Sequence, residues 1–187
     1  MEILQSELLE DLKYRTHRVI AAAEMQFQPL PLSILHFKPS PSRWSIVECL
    51  EHLNLYGDHY LPAIRKALLK AGPASASAVF RSGWLGEYFS GLMLGKNGQI
   101  LKFTSPKSKN PLFTKVPEYV IERFLDQQRQ YLACLEESLH VNLGRVRVPI
   151  SIAPWIRIKL GDTLRFCIYH NERHIRQAER VWREANS

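Results

Sequence analysis

The chain has 187 residues, a hydrophobic fraction of 45% and a formal net charge of +7. This length and composition are those of a single globular domain, 1–187, with a core of its own, and they exclude a disordered or fibrous chain. No apolar run is long enough to cross a bilayer, and the N-terminal segment is acidic rather than basic as in a signal peptide. We therefore expect a cytoplasmic protein with no membrane partner.

The cysteines are few and far apart, at Cys49, Cys134 and Cys167. Disulfide-stabilised domains usually carry an even and denser set of cysteines. We therefore expect reduced thiols, as in a reducing compartment.

The excess of positive charge lies in two segments without acids, residues 88–117 and 140–161. The rest of the chain contains the other 16 of the 25 basic residues and all 18 acidic residues, so it is slightly acidic. These segments either attract an anionic substrate or nucleic acid, or they are solvated loops, which is the interpretation we favour. Because no nucleic-acid-binding motif accompanies the charge, we expect no nucleic-acid partner.

The first predicted helix covers residues 2–27, where leucine, isoleucine and valine recur at helical spacing with charges between them. Four prolines follow between residues 29 and 41. Proline is unfavourable inside a helix, so we expect an extended connection there.

The second predicted helix begins with a capping signal. Ser45 and Glu48 have the spacing of a capping box, and Trp44 precedes the cap, where it can pack against the first turns. We expect a mainly structural role for these three residues. Pro62 lies inside the apolar pattern and predicts a kink or a break, and the helix is predicted to end near Lys70.

Two long connections divide the rest of the chain. Residues 71–117 are rich in glycine, serine and proline and contain one short predicted helix, Trp84–Leu94. So long a link in a compact domain usually has a purpose, and this one can carry the chain along the full length of a helical bundle. Residues 141–161 alternate apolar and basic side chains, which indicates a short extended stretch.

The third helix is predicted to run from Pro117 to His140 and the fourth from a cap at Asp162 or Thr163 to Glu184. Four amphipathic helices predict an all-α protein. The long connection between the second and third helices allows those two to run parallel.

Three histidines form a candidate metal site. His170 and His174 are four residues apart on the fourth predicted helix, so their imidazoles leave the same face, and His52 lies on the second helix. Three imidazole ligands with one or two open positions are typical of a catalytic metal. Glu172 does not share this face, and we expect it to contact solvent or another helix. The remaining histidines to which we assign ordinary roles are His17, His36 and His140.

The segments W-S-I-V-E-C-L-E-H-L (Trp44 to Leu53) and H-N-E-R-H-I-R-Q (His170 to Gln177) resemble those of the DinB/YfiT-like superfamily. The resemblance implies a four-helix bundle, and the long connection between the second and third helices predicts an up-down-down-up topology for it. The resemblance also implies a divalent metal, zinc or nickel first, bound by His52, His170 and His174. The family includes metal-dependent hydrolases, thiol-dependent transferases and isomerases, and many members without known activity.

The reaction remains open between two enzymatic routes and a non-enzymatic one. A bound metal can activate water for hydrolysis, or a low-molecular-weight thiol for transfer to a small-molecule substrate. The alternative is a bundle that binds a metal or a small molecule without catalysis. No general acid or base can be identified from the sequence, and a homodimer is compatible with it.

Several residues near the predicted ligands are secondary candidates. Cys49 and Cys167 each precede a histidine of the trio by three residues, but a free cysteine is commonly a small buried apolar residue, which is the interpretation we favour. His59 lies two helical turns after His52 and could line the pocket. Tyr56 and Gln177 are candidates for contacts to the substrate or to the ligands' second ring nitrogens.

Overall fold

The computed structural model describes residues 1–72, 78–95, 105–113 and 115–187. Within these residues the chain is mostly helical, which confirms the predicted class, and two small antiparallel strand pairs accompany the helices. The helices are α1 (Gln5–Ala22), α2 (Leu32–Leu35), α3 (Ile46–Ala71), α4 (Trp84–Leu94), α5 (Val120–Glu137) and α6 (Leu160–Ala185). The strands are β1 (Glu2–Leu4), β2 (Val79–Arg81), β3 (Arg147–Ile150) and β4 (Ala153–Lys159).

The N-terminus is a strand and not the first turn of a helix, contrary to the sequence prediction. Ile3 of β1 lies opposite Phe80 of β2, whose side chain is only 1% exposed. Pairing with a distant strand therefore overrides the helical pattern at residues 2–4. At its other end, α1 continues as one π-helical turn, Ala23–Phe27, so the predicted end at residue 27 is correct.

The connection before α3 is not extended throughout, because α2 forms one helical turn directly after Pro31. The predicted capping box of α3 is present: the Glu48 amide donates to Ser45 Oγ at 3.3 Å, and the Ser45 amide donates to Glu48 Oε2 at 2.8 Å. The helix continues through Pro62, which excludes the break that was one of the two outcomes predicted there, a kink or a break. Leu61 and the other buried apolar residues of α3 hold this helix in the core on both sides of the proline.

The start of α6 differs from the prediction, because neither Asp162 nor Thr163 caps it. The helix begins at Leu160. Asp162 is fully buried and accepts hydrogen bonds from the Gly83 amide and the Ser82 hydroxyl, so it anchors the beginning of α4. α4 itself has the predicted bounds. α5 begins three residues later than predicted, and a 3-10 turn, Ser138–His140, completes the predicted length.

The long connection between α5 and α6 forms a hairpin, which agrees with the predicted extended stretch. Val148 of β3 lies opposite Ile158 of β4, and both side chains are buried. Pro149 lies opposite Arg157, on the other face of the hairpin.

Each of α1 and α3 packs against both α5 and α6, and α4 lies on α6. The core forms two clusters at different levels of these helices. The first contains Leu8, Leu12, Ile64, Tyr131, Leu135, Leu164 and Ile168. The second contains Val19, Phe27, Leu50, Leu53, Phe124, Ala178 and Val181. In the described part of the chain, no helix is long and apolar enough to cross a membrane.

A buried polar layer separates the two clusters. The side chain of Asn171 on α6 donates to that of Gln128 on α5 at 2.8 Å. Gln127 of α5 donates to the backbone carbonyl of Asn54 on α3 at 3.2 Å. Buried polar groups are tolerated where they bond to one another, and this layer is the level at which the histidines of α3 and α6 lie.

Candidate metal centre

His52, His170 and His174 meet between α3 and α6. All three are buried, and one ring nitrogen from each lies within 4.8 Å of the other two. Two of the rings share one face of α6 because they are four residues apart, and the packing of α3 against α6 supplies the third.

Hydrogen bonds to the outer ring nitrogens orient two of these imidazoles. His52 Nδ1 donates to the backbone carbonyl of Lys109 at 2.6 Å, and His174 Nδ1 donates to Gln177 Oε1 at 3.0 Å. In a neutral imidazole the other nitrogen then carries the lone pair. His52 Nε2 lies 3.1 Å from His170 Nε2. Lone pairs that can bind a metal are thus directed into the cluster.

The environment keeps the three imidazoles neutral. Burial lowers the pKa of His52 to about 4. Burial, together with the neighbouring histidines and Arg173, lowers the pKa of His170 and His174 well below the usual value of 6.5. Neutral imidazole is the form that binds metal ions, and metal affinity falls when it is protonated.

The donor set fits a divalent ion. Zinc–nitrogen bonds of about 2.0–2.1 Å in a tetrahedral site place two ligand nitrogens about 3.3 Å apart. The separation of 3.1 Å between the Nε2 atoms of His52 and His170 is close to this value. With three neutral ligands from the chain, such an ion keeps its charge and has at least one position for another ligand.

Aromatic side chains surround the three imidazoles. The ring centroid of Trp44 lies 4.7 Å from that of His52 and 5.7 Å from that of His174. Phe166 stacks on His170 at 5.5 Å with an interplanar angle of 11°. Trp44 also packs against the second core cluster, in agreement with its predicted structural role.

The histidines line a cavity of about 280 Å³ with mostly aromatic and aliphatic walls. α4 covers one side with Phe89, Leu92 and Met93, and the hairpin contributes Ile150, Ile152 and Ile158. Arg173 is the one permanently charged side chain among the described residues of the lining, and its Nη1 donates to the Leu92 carbonyl at 3.0 Å. A cavity of this kind suits a small molecule with an apolar body and one anionic group.

A model of the DinB superfamily matches residues 15–178 of the chain. The protein belongs to the DinB superfamily. No curated relative and no solved structure matches the chain significantly, so the comparisons show the family and nothing finer about its reaction.

The cysteines of this DinB-superfamily protein are free, buried and outside the cavity lining. Cys49 belongs to the second core cluster, and burial raises the pKa of its thiol. Cys167 contacts Tyr131, and burial raises the pKa of its thiol to about 12. Both stay protonated, as expected of small buried residues.

Of the other candidates from the sequence, some line the cavity or contact a proposed ligand, and others lie elsewhere. Tyr56 lines the cavity, with its ring centroid 4.6 Å from that of His170. Gln177 holds His174, as proposed from the sequence. His59 lies outside this cavity and lines a different one. Glu172 accepts from Arg15 at 2.7 Å, which confirms the predicted contact between helices.

Lys109 is one of the site residues that the sequence reasoning missed. It lies in the basic segment 88–117, for which the sequence favours a solvated loop, yet it is half-buried in this DinB-superfamily fold. Its Nζ donates to the carbonyl of Leu55 on α3 and lies 5.7 Å from the centroid of Tyr56, and burial lowers its pKa. No local sequence pattern predicts such a contact with a distant helix. Lys96 and Lys102 of the same segment lie outside the described residues.

Phe166 and Arg173 were also missed, although helical spacing could have identified them. Phe166 precedes His170 by four residues, so it lies one turn before it on the same face. Arg173 follows His170 by three residues and also reaches the cavity.

Proposed function

We propose that this protein is a metal-dependent enzyme acting on a small molecule, with zinc or nickel bound by His52, His170 and His174. The observation that carries this proposal is the convergence of three buried, neutral imidazoles at the wall of a mainly apolar cavity. Structural zinc sites are closed by four protein ligands, whereas this set supplies three.

The chain's own residues prepare the site. The Lys109 carbonyl and Gln177 fix the tautomers of two imidazoles, and the aromatic walls exclude water. When bound, the ion supplies Lewis-acid chemistry, lowering the pKa of a water or thiol ligand. Arg173 provides positive charge for an anionic group of the ligand.

The lining favours a thiol-dependent transfer over a hydrolysis. Among the described residues no carboxylate lines the cavity, so this part of the lining offers no carboxylate as a general base for water. Burial raises the pKa of Tyr56 and raises that of Tyr60 to about 12, so both hydroxyls stay protonated. A thiol, with an ordinary pKa of about 8.5, loses its proton far more readily than water and needs no such base. Hydrolysis is the second enzymatic candidate.

A non-enzymatic binding protein is the alternative, supported by the same lack of a carboxylate in the described part of the lining. It would bind the metal and a small anionic ligand without converting either. Turnover separates the two: an enzyme consumes a thiol and an electrophilic substrate when loaded with metal, and a binding protein does not.

We also propose that the chain is one domain whose long helices α1, α3, α5 and α6 form an up-down-down-up bundle. Contacts between side chains support this topology. Along α3 and α5 the residue numbers of contacting side chains increase together, so these helices are parallel. Between α1 and α5, and between α3 and α6, one number increases as the other decreases, so these helices are antiparallel. The supporting pairs are Glu51–Arg123 and Asp58–Gln127, Glu24–Arg129 and Lys13–Glu136, and Trp44–His174 and Tyr56–Phe166. The cytoplasmic location, the homodimer and the lack of a nucleic-acid partner stay predictions.

Cobalt(II) substitution tests the proposed site directly, because the visible absorption of the ion reports its ligands. We expect the cobalt-loaded protein to change its spectrum on titration with millimolar amounts of simple thiols and carboxylates. The His170→Ala protein should show no such change. Arg173→Gln should keep the cobalt spectrum but weaken the response to carboxylate-bearing ligands.

Two results would count against the proposal. A spectrum that neither ligand class changes means that the coordination shell is closed and the ion structural. A normal cobalt spectrum in the His170→Ala protein means that the ion lies elsewhere.

A further inference from the structure

A second cavity lies on the other side of the hairpin from the histidine trio, between the C-terminal half of α3 and strands β3 and β4. Its volume is about 380 Å³, within the usual range for small-molecule pockets. Basic side chains dominate its lining: His59, Lys66 and Lys70 from α3, and Arg147 and Arg157 from the hairpin. We name it the basic cavity.

The local geometry of both elements brings these basic groups together. His59, Lys66 and Lys70 are spaced by seven and four residues, so they occupy one face of α3. Arg147 and Arg157 point to the face of the hairpin opposite to that of its buried residues. Two elements distant in sequence therefore present positive charge to one cavity.

No acidic side chain of the described residues lines the basic cavity. Elsewhere in the protein, basic groups such as Arg15, Arg43 and Arg123 are engaged in ion pairs. Within the described ranges, Lys66 and Arg157 make no such pair. Like charges held together without a counter-charge repel one another, and an anionic ligand removes that repulsion.

His59 adds hydrogen-bonding capacity that its surroundings do not use. In the described part of the chain its buried Nε2 has no hydrogen-bond partner. In a neutral imidazole this nitrogen donates or accepts a hydrogen bond, depending on the tautomer. A hydrogen phosphate group offers both a hydroxyl for this nitrogen and anionic oxygens for the lysines and arginines.

We propose that the basic cavity binds a small molecule carrying one or more phosphate groups. The side chains that line the cavity favour such a molecule over a nucleic acid. Besides the charged groups, the lining consists of Pro62, Ala63, Ala67 and Pro149. Single-stranded nucleic acids are bound by stacking bases on aromatic rings along a groove, and this lining offers no phenyl or indole ring among the described residues. This site is separate from the histidine trio and does not depend on its function.

Calorimetric titration of the full-length, metal-free protein with inorganic pyrophosphate at low ionic strength tests this site. Metal-free protein is needed because pyrophosphate itself binds divalent ions. We expect saturable binding that Lys66→Glu/Arg157→Glu weakens by about tenfold or more. The matched control, Arg18→Glu/Arg145→Glu, changes the net charge equally at exposed positions outside the cavity. It should weaken binding by less than about twofold.

Two further arms keep the test decisive. In the neutralising variant Lys66→Gln/Arg157→Gln, binding should weaken even if the charge-reversed protein folds poorly. Pyrophosphate should also move the imidazole nitrogen resonances of His59 and leave those of exposed His17 in place.

Three outcomes would overturn the inference. Pyrophosphate that does not bind removes the site. Equal losses in the cavity and control variants reduce it to general surface charge. A single-stranded oligonucleotide that binds where pyrophosphate does not would make the surface a nucleic-acid interface.

Discussion

His52 donates its Nδ1 proton to the backbone carbonyl of Lys109 at 2.6 Å, although the two residues are 57 positions apart in the chain. Lys109 is itself tied back to α3, because its Nζ donates to the Leu55 carbonyl. The segment that carries Lys109 therefore holds one proposed metal ligand in a single tautomer and is held in turn by the same helix. Such partners of metal-binding histidines orient the ring and raise its basicity.

Replacing Lys109 by methionine should weaken metal binding without removing any proposed ligand. The substitution breaks the bond to Leu55 and loosens the backbone carbonyl that orients His52. Loss of such a supporting contact usually costs about 10–100-fold in metal affinity, and we expect a loss in this range from competition with a chromogenic chelator. Lys115→Met, at an exposed lysine further along the chain, is the control. Equal affinities in the two variants would show that the Lys109 side chain does not support the site.

The three proposed ligands should each be needed for metal retention. We expect His52→Ala, His170→Ala and His174→Ala to lose most of the bound divalent metal, because two imidazoles bind an ion far more weakly than three. His17→Ala should retain it, since His17 is exposed on α1. Elemental analysis of protein purified without a metal-affinity tag provides the measurement. Similar metal content in all four variants would remove the assignment.

Much of the fold follows from local signals, which the sequence carries directly. The capping box at Ser45 and Glu48 marks the beginning of α3, and the bounds of α4 follow from apolar spacing and flanking glycines. The spacing of His170 and His174 places both on one helix face. Such features depend on residues only a few positions apart, so a single sequence is enough to read them.

Three of the features that were wrong or missed depend on distant partners. β1 exists because it pairs with β2, which begins at Val79, and an isolated three-residue strand has no stability of its own. Asp162 looks like a helix cap but bonds Gly83 instead. The role of Lys109 likewise depends on contacts with α3. The residues next to these positions do not indicate which distant residue each one contacts, so sequence pattern alone cannot predict the contact.

Chelation should lower the melting temperature and leave the helices intact. A ligand that binds only the folded state stabilises it by about 2.7 kcal/mol at a hundredfold excess over its dissociation constant. For a chain of this size, that corresponds to a fall of roughly 5–10 °C when the metal is removed. The two core clusters do not depend on the ion, so far-UV circular dichroism should stay helical. Loss of that helical signal at room temperature would make the metal structural.

The close contact between α4 and α6 can be tested with two glycines of the same helix. A Cβ at Gly86 would lie 2.0 Å from Cγ of Asp162, which is fully buried and holds the beginning of α4, so neither side can easily move. A Cβ at Gly91 would meet no atom within 4 Å. The same substitution, glycine to alanine, thus separates overpacking from helix propensity.

Gly86→Ala should destabilise the protein by about 1–3 kcal/mol, the usual effect of forcing extra atoms into a packed contact. Gly91→Ala should stabilise it by about 0.5–1 kcal/mol, because alanine loses less conformational freedom in a helix. Thermal denaturation measures both. Because α4 supplies Phe89, Leu92 and Met93 to the cavity, Gly86→Ala should also weaken the response of the cobalt-loaded protein to thiols, whereas Gly91→Ala should preserve it. If both variants were equally stable and bound thiols alike, α4 would not pack tightly on α6, and its part in forming the cavity would have to be abandoned.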